Sequence, residues 1–406
     1  MSKLKVPTSK IQTSKSRDDK LKRKIILTIC FTMILFLSGC WDVSEPQRMY
    51  YVHGVGVDFK DNKYEVYIQL INFADVAKSE TPSPETTPSE IGHAKGNTME
   101  EAIYNIYRSV DQEIFWGHMT YAIFTEEVLK SEHAISVIDS FLRFRETRYQ
   151  IFAHCTKDSL EEILLITPLV NKPLTSSKLS SPLNTKALET FIEPIDLRSL
   201  IIGLNEPSHE VALSLVSINE SWESKNEKPA KETSVNGNCI LSKDGFKGTM
   251  KGNTARGTQW MLTKKNRGDI TIQVDDSERD YLTLDLEKID LDVKPIVKNN
   301  QVTFEIDIKF NATLNGFKTK VTSDEIRKGI IKKVKEEIKT TYEEGLKLDV
   351  DIYRLSEYLY RDKVKVWKKI EKDGKIPLTK ESISKINVYV NKVNPGRKTF
   401  EETIVE

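Results

Sequence analysis

Apolar and polar positions alternate along this chain with a period that switches between two and about 3.6, so strands and helices are interleaved. "YYVHGVGVDF" (50–59) and "KYEVYIQLINF" (63–73) are rich in β-branched and aromatic residues, and Lys60-Asp61-Asn62 between them predicts a hairpin. Thr98-x-x-Glu101 predicts a helix start, after which Met99, Ala102, Ile103, Ile106, Tyr107 and Val110 fall on one face. Residues 118–124 and 149–155 read as strands, 133–144 and 159–166 as helices. Further strands are predicted over 211–219 and 234–250, the second turning at Lys243-Asp244-Gly245, then a short helix over 254–262 and a strand from 269. A long alternating pair follows, 281–297 and 301–314, in which Val302, Phe304, Ile306, Ile308 and Phe310 share one face. Thr322-x-x-Glu325 opens a helix presenting Ile326, Ile330, Val334, Ile338 and Tyr342 to a core; "DIYRLSEYLYR" (351–361) is read as continuing it, and 383–390 as a returning strand. The order predicts an α+β protein of mixed α/β domains with mostly antiparallel sheets.

Two stretches depart from the pattern. "SETPSPETTPSE" (79–90) has no large apolar residue and reads as a flexible loop. At the other extreme, Ile25 to Leu37 is a thirteen-residue run of aliphatics and Phe, with only two threonines and a cysteine among them, behind nine Lys/Arg and two Asp. A bilayer span needs about 20 apolar residues, so the run suits a signal peptide, with its basic flank on the cytoplasmic side. It ends on Leu37-Ser38-Gly39-Cys40, which resembles a bacterial lipobox, and Cys40 is the expected lipidation site. The alternative is an uncleaved signal anchor. A diacylglyceryl cysteine supplies the two chains that stable anchoring needs. Trp41 then sits either at headgroup level or as an ordinary buried tryptophan.

Cleavage before Cys40 changes the charge balance. The whole chain is at +1, whereas residues 40–406 carry 52 Lys/Arg against 58 Asp/Glu, a net of about −6. An acidic ectodomain gives no electrostatic case for nucleic acid. Its length and pattern suggest a 40–205 N-terminal domain, a small domain or lobe over 206–278, and a 279–406 C-terminal domain, after the 1–39 signal peptide. Cys155 and Cys239 remain; we expect two buried thiols, with one long-range disulfide as the alternative. Zinc spacings, the Gly-x-Ser-x-Gly elbow, His-Glu-x-x-His and the phosphate-loop spacing are all missing, so the sequence supports neither an enzyme nor a cofactor.

Residues 39–70 resemble the mature start of the Ger(x)C family, the lipoprotein C subunits of spore germinant receptors. The resemblance rests on Gly39-Cys40-Trp41-Asp42 and on Gly54-Val55-Gly56-Val57-Asp58 leading into the hairpin. Downstream, Trp116, Gly117 and His118 with Glu126 and Glu127, then Leu142, Arg143, Glu146 and Arg148, match further family patterns; "ARGTQWML" and the segment around Trp367 fit more loosely. The resemblance implies three α/β domains in an extended arrangement. It also implies a non-enzymatic subunit on the outer face of the spore inner membrane, with two integral-membrane partners, the A and B subunits. Its role would be assembly or signal relay; the alternative is a solute-binding lipoprotein that captures the germinant, and a weaker one an envelope hydrolase. Trp116, Gly117, His118, Arg143, Glu146 and Arg148 are candidate interaction residues, or else they hold the first domain together through a tight glycine and an Arg–Glu pair.

Overall fold

The computed structural model describes residues 22–29, 31–33, 48–71, 89–143, 146–186, 192–223, 229–262, 267–274, 281–299, 301–316, 321–396 and 404–405. Cys40 and Trp41 lie outside them, as does the expected loop except Ser89 and Glu90, which already belong to a strand. Residues 22–29 and 31–33 are helical, and no described helix is long and apolar enough to cross a membrane.

The expected hairpin is β1 (Met49–Lys60) and β2 (Lys63–Ile71), turning on Asp61 and Asn62, whose φ values of 54° and 59° suit that two-residue turn. Strand β3 (Ser89–Gly96) adds to β2, and α1 (Met99–Tyr107) follows with Thr98 as its cap. Glu101 reaches one residue beyond the predicted box, its carboxylate accepting from the Asn97 backbone N–H at 2.6 Å. Next come β4 (Glu113–Phe115), β5 (Tyr121–Thr125), α2 (Glu126–Lys130), α3 (Ala134–Arg143), β6 (Phe152–Thr156), α4 (Leu160–Leu165) and α5 (Pro182–Lys186). They are followed by β7 (Ile195–Asp196), α6 (Leu197–Asn205), β8 (Glu210–Glu223), β9 (Pro229–Ser242) and β10 (Gly245–Lys251).

These strands form one sheet in the order β10-β9-β8-β6-β5-β1-β2-β3, with β4 on β1 and β7 on β6. Its middle, β1, β5, β6 and β8, is parallel, because helices intervene between those strands and carry the chain back across a face. The middle strands are accordingly buried on both faces. Val55, Val57, Ala122, Phe124 and Ala153 pack with α1, α2, α3 and α6, while Tyr121 and Ile123 face Leu160, Ile163 and Leu179. Residues 206–278 are shared between sheets: β8 to β10 extend the first, and β11 (Arg267–Gln273) opens the second.

The second sheet runs β11-β12-β13-β15, with β12 (Tyr281–Lys298), β13 (Gln301–Gly316) and, after the helices, β15 (Ile383–Asn394); β14 (Val321–Thr322) pairs separately with β16 (Ile404–Val405). Phe304, Ile306, Ile308 and Phe310 are fully buried against α7 (Ser323–Lys347), whose Ile326, Ile330, Val334, Ile338 and Tyr342 all point inward as the 3.6 period requires. The Thr322–Glu325 capping box is complete. The helix does not run on into 351–361, however. Leu348 to Arg354 form a turn and α8 (Leu355–Ile370) starts afresh, with the Asp351 carboxylate accepting from the Leu355 and Ser356 N–H groups at 2.8 and 2.7 Å. The α+β class stands, with mixed sheets.

The expectation of two free thiols is corrected. Cys155 on β6 and Cys239 on β9 form a disulfide, with Cα atoms 6.3 Å apart. Both strands flank β8, where Cys155 lies opposite Leu215 and Cys239 opposite Leu213, a proximity that no local sequence pattern reveals.

Candidate interaction site

The six candidate residues within the described chain do not act as one set. Trp116 directly follows the short β4 strand and is buried, its indole N–H donating to the Tyr107 hydroxyl at 2.6 Å. Glu146 comes from the α3–β6 connection, and its carboxylate accepts from the Trp116 backbone N–H at 3.0 Å. The expected Arg–Glu pair is not what ties this turn: Arg143 turns back along its own helix to Asp139 at 2.7 Å, the (i, i+4) geometry of a surface pair. Gly117 leaves room for the Phe115 ring, which a Cβ would meet at 2.5 Å. His118 is exposed and packs edge-on against Tyr51 and Phe115, at 5.3 and 5.7 Å between ring centres. Partial burial and the nearby Arg148 charge both lower the His118 pKa. Trp116, Glu146, His118 and Arg148 thus gather at the ends of β1, β4 and β5, and Arg143 stands apart.

This arrangement carries a prediction. Glu146→Ala should cost about 1 kcal/mol through the lost hydrogen bond, whereas Arg143→Ala, breaking only an exposed pair, should cost less than about 0.5 kcal/mol. Urea midpoints of the two variants check it, and equal costs would contradict the geometry.

Three polar clusters went unrecognised in the sequence. Glu126, matched to the family only as part of a pair with Glu127, is buried between α2 and β10. Burial alone would raise its pKa, but Lys130, Lys157 and Thr249 outweigh it and hold the carboxyl at about 2. In the second cluster His53 meets the Ser180 hydroxyl at 2.7 Å, and burial lowers the His53 pKa to about 4, so the ring is neutral. Tyr121 beside it donates to Gln69 at 2.6 Å.

The third joins the two sheets. Arg354 donates to the Glu210 carbonyl at 2.6 Å and pairs with Glu357, also at 2.6 Å. The Glu210 carboxylate accepts from the Asp351 N–H at 2.7 Å and faces Lys375 at 3.3 Å; burial pushes its pKa up to about 7 against the pull of that lysine. Ser208, His209 and Arg354 here have φ values of 85°, 52° and 53°, left-handed conformations that side chains adopt at a cost. A cleft of about 810 Å³ opens beside them, lined by both signs of charge, including Glu210, Asp349, Lys247 and Lys375. Among the described residues no group of three or more His, Cys, Asp or Glu is placed to hold a metal ion.

Fold and site together define an α+β protein whose polar clusters join elements to one another. Residues 42–218 match the model for the spore germination protein N-terminal domain, and residues 236–396 the model described as spore germination B3/GerAC like, C-terminal. The chain belongs to this Ger(x)C family of spore germination proteins. It is similar to spore germination protein KC of Bacillus subtilis (strain 168), 22% identical over 372 residues that cover 86% of this chain and 90% of the relative. Spore germination protein B3 of the same organism is 20% identical over 294 residues, covering 71% and 73%. The crystal structure of the GerBC protein shares the fold, with a TM-score of 0.52 at 13% identity, over 87% of this chain and 99% of that one.

Proposed function

We propose that this chain is the lipid-anchored C subunit of a spore nutrient germinant receptor, held through Cys40 on the outer face of the spore inner membrane. There it serves assembly or signal relay with two integral-membrane subunits, A and B. The observation carrying this reading is the adjacency of two independent signals: the lipobox ends at Cys40, and the family match starts at residue 42. Anchoring would raise the local concentration of the domain around its membrane partners, so weak direct contacts suffice for assembly. A non-enzymatic role agrees with polar groups engaged in joining elements, as Glu126, Glu146 and Arg354 are.

Affinity purification of the chain from spore membranes should recover both integral-membrane subunits. Cys40→Ala should move it from the membrane to the soluble fraction or leave an uncleaved precursor, and the yield of both partners should fall at least about tenfold. Normal fractionation and normal recovery of the partners would overturn the proposal. Tight binding of a small nutrient by the protein without its partners would favour the solute-capture alternative, with the cleft beside Glu210 as its place.

A further inference from the structure

Strands β1, β5 and β6 run parallel, so their N-terminal ends lie together at one end of the first sheet. Backbone bonds fix that level: Thr120 N–H to the His53 carbonyl at 2.9 Å, and Phe152 N–H to the Thr120 carbonyl at 2.8 Å. Aromatic residues crowd this rim. Tyr51, Phe115 and His118 form a triangle of edge-on rings, and Tyr50 and Tyr149 are 36% and 56% exposed. Exposed arginines stand beside them: Arg148 lies in the α3–β6 connection, and the Arg198 N–H bonds to the Tyr149 carbonyl at 2.9 Å. Two acids of the same rim bond to protein groups, Asp111 accepting from the Tyr50 hydroxyl at 2.9 Å and Glu146 from the Trp116 N–H, while Glu113 of β4 is exposed.

Tyrosines seat well at a membrane–water interface, and arginine forks match phosphate oxygens. The chain also enters the sheet here. Nine residues separate Cys40 from Tyr50, ten backbone steps with a reach of at most about 35 Å. The opposite end of β1, at the Asp61 turn, is about another 35 Å away along the strand.

We infer that this rim, with Tyr50, Tyr149, Arg148 and Arg198, is the face the protein lays against the lipid headgroups. The inference rests on the acylation of Cys40 proposed above. It goes beyond anchoring by fixing which end of the domain is membrane-proximal and what touches the bilayer.

The test uses the full acylated chain in vesicles of phosphatidylethanolamine and phosphatidylglycerol carrying a headgroup energy acceptor, with no other protein present. Cys40 is acylated and Cys155 and Cys239 are paired, so a donor dye can be placed on Tyr149→Cys or on Asp61→Cys. Transfer from position 149 should exceed that from 61 at least about twofold, given the length of β1. Equal or reversed transfer from protein that floats with the vesicles overturns the rim while leaving the anchor intact. Protein that does not float overturns both. In a second measurement, vesicles should protect residues 118–120 and 148–151 from hydrogen exchange. Arg148→Glu with Tyr149→Ser should abolish that protection without changing flotation; protection that survives the double variant also overturns the rim.

Discussion

Replacing Glu337 with alanine is expected to destabilise the C-terminal sheet by about 3–5 kcal/mol, the largest effect of any single side chain in that half. Glu337 sits in the middle of α7, 5% exposed, and three side-chain donors reach its carboxylate from one turn some eighty residues earlier. Arg256 Nε donates to it at 3.1 Å, Trp260 Nε1 at 2.8 Å and Gln259 Nε2 at 3.3 Å. The Gly257 N–H bonds to Thr341 one helical turn further on, at 2.9 Å. Removing the carboxylate takes an acceptor from the buried Trp260 and Gln259 donors and from Arg256, which keeps its bonds to the Asp269 carbonyl and carboxylate at 3.1 Å, and each donor left unmet costs about 1–3 kcal/mol. Glu337→Gln keeps an acceptor and should lose roughly half as much. Denaturant unfolding followed by hydrogen exchange in α7 and β13 reads the difference. An alanine variant within about 1 kcal/mol of the parent would show that the 256–261 turn is held by packing alone.

Glu337 also shows where the sequence stops being legible. In "IKKVKEEIKTTY" it is one of two adjacent acids among four lysines, and such residues on a helix usually face water. The 3.6 period located the apolar stripe from Ile326 to Tyr342 because burial of large aliphatics leaves a local signature. A buried acid leaves none, because its partners lie far away in sequence. "ARGTQWML" was visible as a motif, yet only the structure shows it to be the other half of this contact. The same limit governs the sheets. Alternation located β8, β9, β12 and β13, but period two says which face is buried and not which strand is the neighbour, so the joining of 210–251 to the first sheet was out of reach. At 351–361 the apolar spacing suggested one continuous helix, and the Asp351 cap with left-handed Arg354 broke it. In the candidate site, Trp116 and Glu146 were both named, but their link runs through a backbone N–H, which side-chain identities do not reveal.

Loss of the Cys155–Cys239 disulfide should cost about 2–4 kcal/mol, the second large effect. The bond spans 84 residues of sequence, a loop long enough for its closure to restrict the unfolded chain substantially. Within the native sheet it ties β6 to β9 on either side of β8, where Leu213, Leu215 and both sulfur-bearing residues are fully buried. Cys155→Ala with Cys239→Ala is the cleaner variant, since a single substitution leaves a lone reactive thiol. Its denaturation midpoint should fall, and reductant should lower the parent's midpoint while leaving the variant's unchanged. Alkylation of the denatured, unreduced mature chain should modify neither position. Free thiols at both positions would return Cys155 and Cys239 to the role of small core residues. A formed disulfide requires an oxidising surrounding, so its presence in the native protein would independently support the extracytoplasmic placement that Cys40 suggests.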